Sequence, residues 1–118
     1  MHELSIARAL LRQVGRMVAA HGGGPVRRVT VRLGPLSGVE PALLAQAFPK
    51  ACAGTAAAGA ELVIESVPVR VQCRSCGHVD EAAPNRLRCP ACGCAETVLV
   101  GGDELLLVSV DLEGRLNV

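Results

Sequence analysis

Apolar and polar residues follow two different periods in the first part of the chain, and each period predicts a different element. From Leu4 to Val18 the apolar residues recur at helical spacing and arginines fill the opposite face, which predicts an amphipathic helix of about 17 residues. The run Gly-Gly-Gly-Pro at residues 22–25 ends that helix. From Val26 to Leu33 apolar and polar residues alternate, as they do in a half-buried strand.

The middle of the chain predicts a turn and a second helix. Gly34 to Gly38 forms the turn, and Pro41 suits the first position of a helix with Glu40 beside its positive end. We expect this helix to run to about Ala53 and to be kinked or shortened by Pro49. Two further strands are predicted, Glu61 to Val67 and Glu104 to Leu112.

Together these elements predict an α/β fold with two helices on one face of a three-stranded mixed sheet. If the first two strands are parallel, the crossover between them is right-handed. Residues 69–100 break the periodic pattern and contain five of the six cysteines, so we expect a zinc-ribbon-like four-cysteine module inserted before the last strand. The predicted domains are residues 1–68 plus 101–118 for the α/β part and residues 69–100 for the insert.

Composition and charge exclude several classes of partner. The 118 residues carry a formal net charge of +1, so bulk electrostatics do not steer the protein to nucleic acid or to an anionic membrane. Trp and Tyr are absent and there is one Phe, which removes the usual platform for stacking bases. No apolar run approaches the ~20 residues of a membrane helix, and no secretory signal is visible. We therefore expect a cytoplasmic protein with reduced thiols.

Two short cysteine motifs are the most specific chemical feature of the chain. Cys73-Arg-Ser-Cys76-Gly and Cys89-Pro-Ala-Cys92-Gly share the form Cys-x-x-Cys-Gly. Two intervening residues let both sulfurs of a pair turn toward one ion, and the glycine lets the backbone fold over it. Two such pairs complete the tetrahedral shell of four thiolates that is typical of structural Zn(II). A closed site of this kind stabilises the fold and has no free coordination position for catalysis.

Three other interpretations of the cysteine pairs stay open at this point. Rubredoxin-type iron uses a similar Cys-Pro-x-Cys-Gly motif, although the aromatic residues that shield such iron are missing here. A dithiol redox centre needs one pair beside a βαβ unit, whereas this chain has two matched pairs. A zinc ribbon that binds nucleic acid is the third, but acidic residues offset the nearby arginines, and four thiolates with one Zn(II) add two negative charges.

Four further residues each have a structural and a functional interpretation. Cys94 is a spare thiol or an alternative ligand, and His78 is a solvated neighbour of the metal or a residue that tunes it. Cys52 on the second helix is expected to be an inert core residue. His21 lies near the end of the first helix, where a cation is favourable, and is expected to cap it.

The first residues of the chain offer nitrogen ligands for a different metal. A histidine at position 2 is expected to block removal of the initiator methionine, so Met1 keeps the free α-amine. This amine, the amide nitrogens of residues 2 and 3 and the His2 imidazole form a compact set of donors that suits square-planar Ni(II) or Cu(II). The residues alone also allow His2 to be a frayed, solvated side chain.

Four motifs together resemble the HypA/HybF family, nickel metallochaperones of [NiFe]-hydrogenase maturation. They are the opening Met-His-Glu-Leu-Ser-Ile, the turn from Gly34 to Pro41, the segment Gly59-Ala60-Glu61-Leu62 and the two cysteine pairs. The motifs span the whole chain and occur in the order found in the family. Zinc ribbons are common, but they do not usually carry this N-terminus and this turn, which makes the resemblance specific.

The resemblance implies roles for individual residues. His2 matches the family's essential nickel ligand, through its imidazole and its backbone, and the amine of Met1 would complete the nitrogen set. Glu3 matches a position that contributes to the same site, and Glu40 falls where the family often has an acidic residue that approaches the nickel. The family's zinc ligands match Cys73, Cys76, Cys89 and Cys92.

The function that the resemblance implies is nickel delivery without catalytic turnover. Zinc would be a structural cofactor and nickel a transient cargo, passed by ligand exchange to a hydrogenase large subunit with the accessory GTPase HypB as partner. No nucleic-acid or membrane partner is expected, and the protein would be a monomer or a homodimer. The alternative is a zinc-ribbon module that binds protein or nucleic acid without nickel chemistry.

Overall fold

The computed structural model describes residues 2–113, and within them the chain forms two helices and six strands. Helix α1 spans His2–Ala20 and helix α2 spans Pro41–Cys52. The strands are β1 (Val26–Leu33), β2 (Glu61–Ser66), β3 (Val69–Cys73), β4 (Val79–Ala82), β5 (Thr97–Gly101) and β6 (Leu105–Leu112). Neither helix in this part of the chain is long and apolar enough to cross a membrane.

The chain folds into two compact units, and each unit is assembled from separated segments. Within the described residues, the first unit combines residues 2–32 with Val39–Glu65 and residues 106–113. The second unit combines Leu33–Gly38 with Ser66–Leu105. The turn between β1 and α2 therefore belongs with the cysteine motifs, a grouping that no periodicity in the sequence indicates.

The first unit is built on a sheet with the strand order β2-β1-β6. Arg28 on the central strand donates to Glu61 on β2 at 2.9 Å and to Asp111 on β6 at 3.0 Å. Arg32 lies four residues after Arg28 on the same face of β1, and it donates to Glu65 on β2 at 3.3 Å. Both acceptors on β2 lie 33 residues after their donors, so β1 and β2 run parallel.

Strand β6 runs antiparallel to β1. The backbone N–H of Glu113 donates to the carbonyl of Pro25 at 3.0 Å, just before β1 begins and just after β6 ends. The N–H of Gly34 donates to the carbonyl of Glu104 at 2.9 Å, at the opposite ends of the same two strands. The sheet is therefore mixed, and the predicted α/β fold with two helices and a mixed three-stranded sheet is confirmed.

Aliphatic side chains make most of the core of the first unit. On α1 the buried residues recur every three or four positions, as the amphipathic pattern predicts: Ala7, Leu10, Val14 and Val18. On α2, which packs against α1, the buried residues are Leu44, Ala47, Phe48 and Cys52. Val29 and Val31 on the central strand are fully buried. Cys52 thus lies in the core as predicted, at 1% exposure, and burial raises the pKa of its thiol.

Helix α2 begins as its sequence predicts. Glu40 Oε1 accepts the backbone N–H of Ala42 at 3.3 Å, so the Glu40 side chain caps the helix, and Pro41 occupies the first turn. The helix continues through Pro49 and ends at Cys52. The proline therefore removes one backbone hydrogen bond without ending the helix.

The second unit contains a sheet that the sequence analysis does not predict. Its strand order is β4-β3-β5, with β3 antiparallel to both neighbours. Val69, Val71 and Cys73 on β3 are buried, whereas Arg70 and Gln72 between them are exposed. This alternation is present in the sequence, but a run of five residues is too short to distinguish a strand from a loop. Residues 69–100 are therefore less irregular than expected.

Phe48 offers a direct test of the first core because it is 2% exposed and its ring is the largest buried side chain. Phe48→Ala should lower the free energy of unfolding by about 3–5 kcal/mol, since it removes a buried ring and leaves a cavity. Leu43→Ala on the same helix is the matched control, because Leu43 is 47% exposed, and should cost less than about 1 kcal/mol. Urea unfolding followed by circular dichroism measures both. Equal losses would contradict the placement of Phe48 in the core.

Candidate metal centres

Four cysteine side chains converge in the second unit. The sulfurs of Cys73, Cys76, Cys89 and Cys92 all lie within 4.8 Å of one another. Two contacts cross between the motifs, Cys73 Sγ to Cys92 Sγ at 3.6 Å and Cys76 Sγ to Cys89 Sγ at 3.7 Å. In a tetrahedron with Zn–S bonds of about 2.3 Å, neighbouring sulfurs are about 3.8 Å apart. The four side chains therefore fit one tetrahedrally bound zinc ion, and they are the four that the motif spacing predicts.

The two cysteine motifs adopt the same backbone conformation. In the first, the N–H of Gly77 donates to the carbonyl of Cys73 at 3.0 Å, and the N–H of Cys73 donates to the carbonyl of His78 at 2.9 Å. The second motif repeats both bonds within residues 89–94, at 2.8 and 3.0 Å. The glycine of each motif has a positive φ, 76° and 77°, which residues with a side chain rarely adopt. Each Cys-x-x-Cys-Gly sequence is thus one turn of backbone that presents two sulfurs on the same side.

Burial divides the four sulfur ligands into two pairs. The first cysteine of each motif, Cys73 or Cys89, is 2% exposed. The second cysteine, Cys76 or Cys92, is exposed to solvent. An ion bound by all four would therefore have one protein-covered side and one solvent-facing side. Because Cys73 is the last residue of β3, the ion would also be anchored directly to the sheet.

Hydrogen bonding and crowding shift the thiol pKa values in opposite directions. The backbone N–H groups of Cys76 and Ser75 donate to Cys73 Sγ at 3.4 and 3.3 Å, and they lower the pKa of Cys73 to about 6. At Cys92 the backbone N–H of Cys94 lowers the pKa, but the neighbouring thiols, that of Cys73 first, outweigh it and raise the pKa to about 12. The cluster therefore carries its first negative charge on Cys73 and keeps its proton on Cys92. A metal that binds both sulfurs has to displace the proton of Cys92.

Cys94 and His78 lie outside the cluster of four sulfurs. Cys94 Sγ accepts the backbone N–H of Glu96 at 3.4 Å. The Nε2 atom of His78 lies 3.1 Å from Asp80 Oδ2. The His-x-Asp spacing at the start of β4 is visible in the chain, but that spacing alone does not identify Asp80 as the partner of His78.

A second candidate centre lies at the start of helix α1. The side chain of His2 is 60% exposed, and its Nδ1 atom lies 3.3 Å from Glu3 Oε2. The Glu3 side chain is 16% exposed, and its hydrogen bond with His2 lowers the pKa of the Glu3 carboxyl. The solvent-facing imidazole is thus accompanied by a carboxylate that is ionised at neutral pH. This combination favours the approach of a divalent cation.

Glu40, the N-cap of helix α2, reaches the same centre with its backbone N–H and not with its carboxylate. The N–H of Glu40 donates to Glu3 Oε2 at 3.4 Å, whereas the Glu40 carboxylate is turned to the N–H of Ala42. The structure therefore places His2, Glu3 and Glu40 together, with the Glu40 side chain engaged as a helix cap. Met1, whose amine was predicted to bind nickel, lies outside the described residues.

The two centres differ in how far their side chains converge. Within residues 2–113, the four cysteines are the one group of three or more His, Cys, Asp or Glu side chains whose ligand atoms cluster. The N-terminal group does not form such a cluster. The nickel site predicted from the sequence draws on backbone nitrogens and an α-amine as well as one imidazole, and the Met1 amine lies outside the described residues.

The chain matches a known protein family over almost its whole length. Residues 1–112 match the family described as "Hydrogenase/urease nickel incorporation, metallochaperone, hypA". A hydrogenase maturation factor HypA of Nitrosospira multiformis is 46% identical over 95% of this chain and 97% of the relative. The protein of the same name from Aquifex aeolicus is 37% identical over 96% of this chain and 98% of the relative.

Two solved structures resemble the whole chain. The solution structure of the Ni metallochaperone HypA from Helicobacter pylori has a TM-score of 0.68 and 22% identity, and covers 93% of this chain and 96% of its own. A second solution structure, described as HypA protein, has a TM-score of 0.73 and 24% identity, and covers 98% of each chain. At these identities the likeness shows that the fold is shared.

The composition of the cysteine cluster predicts which cysteines are required for metal binding and which are not. Cys73→Ser should reduce bound zinc from about one ion per chain to a small fraction of that, because one of four ligands is lost. Cys94→Ser should leave the zinc content unchanged, since Cys94 neighbours the cluster without joining it. Elemental analysis of the purified proteins measures both. Full zinc content in Cys73→Ser would show that another residue, Cys94 first among them, replaces Cys73 as a ligand.

Zinc affinity should fall as the pH is lowered, because protons compete with the metal for the thiolates. Cys92, with its pKa near 12, gives up a proton on binding at every pH in the neutral range. Below about pH 6 Cys73 must give up a proton as well, so the dependence becomes steeper there. Competition with a chelator between about pH 5 and pH 8 measures the apparent affinity. An affinity that does not change over this range would contradict binding by thiolates.

Proposed function

The chain belongs to the HypA family of nickel-incorporation metallochaperones, as its motifs predict, and we propose that it binds one Ni(II) ion at its own N-terminus and delivers that ion for [NiFe]-hydrogenase maturation. The observation that carries the proposal is the environment of His2. Its imidazole is solvent-exposed, opens helix α1 and lies beside the Glu3 carboxylate and the Glu40 backbone. The proposed nickel ligands are Met1, His2 and Glu3, with Glu40 alongside.

The helix start supplies backbone nitrogens that a metal can use. The first four N–H groups of an α-helix have no carbonyl partner within the helix. Helix α1 begins at His2, so the amide nitrogens of His2 and Glu3 are among them. With the Met1 amine and the His2 imidazole, they form a set of nitrogen donors of the kind that square-planar Ni(II) prefers. Binding there does not break the helical hydrogen-bond ladder.

A nickel carrier has to release its cargo as well as bind it. At 60% exposure, the His2 side chain leaves room for the ligands of an acceptor to reach the ion and replace the donors one at a time. The ionised Glu3 carboxylate places negative charge next to the divalent cation and so favours loading. We therefore propose delivery by ligand exchange, without chemical turnover.

We assign the cysteine cluster to one structural Zn(II) ion. Four thiolates fill a tetrahedral shell and leave no position for a substrate. Bound zinc would offset half of the charge of the four thiolates and hold the two motifs together. Its contribution is therefore to the stability of the second unit, and we propose no enzymatic activity for the chain.

The proposed partners follow from the cargo. They are an accessory GTPase of the HypB type, which handles the same metal, and the hydrogenase large subunit that receives it. We place these encounters in the cytoplasm, where the six cysteines stay reduced. All six are free thiols in the structure.

His2→Ala should abolish nickel binding in untagged protein with its own first residue, because it removes the imidazole donor, and should leave zinc content unchanged. His21→Ala is the matched control at the other end of helix α1. There Nδ1 of His21 lies 2.8 Å from the Met17 carbonyl, within the last turns of the helix. This control should bind nickel with wild-type affinity. Isothermal titration with Ni(II) measures all three proteins.

One extra residue before Met1 provides an independent test, because it displaces the α-amine and leaves every side chain in place. This variant should also lose nickel and keep zinc. Unchanged nickel affinity in either variant would contradict an N-terminal site. With zinc still bound, that result would instead favour a zinc-ribbon interaction module without nickel chemistry.

A further inference from the structure

Three arginines form a continuous stripe on the exposed face of helix α1. They lie four residues apart, at Arg8, Arg12 and Arg16, so their side chains follow one another along the same side of the helix. All three are exposed to solvent. From its first to its third residue this arginine stripe extends about 12 Å, because an α-helix rises about 1.5 Å per residue.

No acidic side chain of the helix accompanies the arginine stripe. The positions three and four residues from each arginine carry an uncharged residue or another arginine. Within residues 2–113 none of the three takes part in an ion pair, whereas Arg28 and Arg32 on β1 are both paired with carboxylates. The stripe does not complement the helix dipole either, since the last turn of α1 contains no basic residue. Like charges at this spacing destabilise a helix, so α1 keeps three cations that its own fold does not compensate.

An apolar cleft lies beside the C-terminal half of the same helix. One wall is formed by Leu11, Val14 and Val18 of α1, and the other by Val26 together with the loop at residues 55–57. All of these residues belong to the first unit. The cleft has a volume of about 330 Å³, which is within the range of surface clefts that receive groups of a ligand.

Gly15 joins the cleft to the arginine stripe. It lines the cleft and lies three residues after Arg12, so it borders both features on the helix surface. A glycine inside a helix is destabilising relative to alanine, and a Cβ atom at Gly15 would meet no other atom within 4 Å. The packing of the described chain therefore does not require a glycine here. Its bare backbone leaves room for a second chain to approach closely between the cleft and the stripe.

We propose that this surface binds an acidic amphipathic helix of a partner protein. Carboxylates four residues apart on that helix would pair with the arginine stripe, and the apolar side chains beside them would enter the cleft. The length of the stripe favours a helix over a small molecule, because one small anion does not span about 12 Å. The apolar cleft favours protein over nucleic acid, as does the absence of a stacking platform, since the one aromatic residue, Phe48, is buried in the core.

The test measures the binding of synthetic helical peptides to the full chain by fluorescence anisotropy. The aligned probe carries glutamates at positions i, i+4 and i+8 next to a row of leucines. A second peptide has the same composition, with the glutamates distributed around the helix. The aligned probe should bind about tenfold more tightly, because two more ion pairs form at roughly threefold each. Its affinity should also fall as the salt concentration rises.

A triple variant with glutamine in place of all three stripe arginines should bind the aligned probe about 30-fold more weakly, at roughly threefold for each exposed ion pair. The control variant replaces Arg27, Lys50 and Arg86 with glutamine. It removes the same charge from three other exposed positions, so its affinity should stay within about twofold of the wild type. Circular dichroism checks that both variants are folded.

Gly15→Leu tests the cleft separately from the charge. The leucine side chain would occupy the space beside the cleft and should weaken binding of the aligned probe. It should not lower the temperature of thermal unfolding, because leucine favours a helix more than glycine does and a Cβ meets no other atom there. Wild-type affinity in this variant would contradict the use of the cleft.

Three results would overturn the proposal: no binding of the aligned probe, equal binding of the two peptides, or equal losses in the stripe variant and its control. A single-stranded oligonucleotide of the same charge that binds more tightly than the aligned probe would also overturn it, since the stripe would then be a nucleic-acid contact. None of these results depends on nickel, because Met1, His2 and Glu3 lie outside the stripe and the cleft. Failure of the proposed nickel function is seen instead as nickel binding that His2→Ala does not affect.

Discussion

The convergence of four cysteine sulfurs is the constraint on which the second unit depends. Its buried hydrophobic residues are few, and two of them, Cys73 and Cys89, belong to the cluster itself. The aliphatic remainder centres on Val69 and Val71 of a short strand. A segment of this size cannot bury enough apolar surface to be stable alone, which is the situation in which small modules use a metal. Because each of the four sulfurs lies within 4.8 Å of the other three, a second thiolate beside the first is unfavourable until a cation binds.

In the function proposed here, the two candidate centres hold different metals, because they differ in ligand chemistry and in solvent access. Thiolates in a closed tetrahedral set suit a resident zinc ion, since nothing has to enter or leave. Nitrogen donors at the exposed start of a helix suit a cargo that has to be loaded and passed on. The chain keeps these donor types in separate units, with the four cysteines in the second and His2 in the first. Such a separation reduces the competition of one metal for the ligands of the other.

Elements with long periodic patterns could be predicted from the sequence, and short ones could not. Helix α1 and strand β1 bury the residues that their periods indicate, although Thr30 on the other face of β1 is buried as well. Strand β3 was missed because its five residues take their stability from pairing with β4 and β5, which are distant along the chain. The four cysteines were predictable because Cys-x-x-Cys-Gly defines a local backbone turn. The contacts of Glu40 and Glu104 were not, since each joins segments that no local pattern connects.

In the proposed function, nickel and zinc occupy different centres in one chain. X-ray absorption spectroscopy at both metal edges, on untagged wild-type protein loaded with nickel, distinguishes the two environments. We predict nickel surrounded by nitrogen and oxygen atoms, and zinc surrounded by four sulfurs at about 2.3 Å. Sulfur neighbours around nickel, with zinc displaced in proportion, would place both metals in the cysteine cluster and contradict a nickel site at the N-terminus.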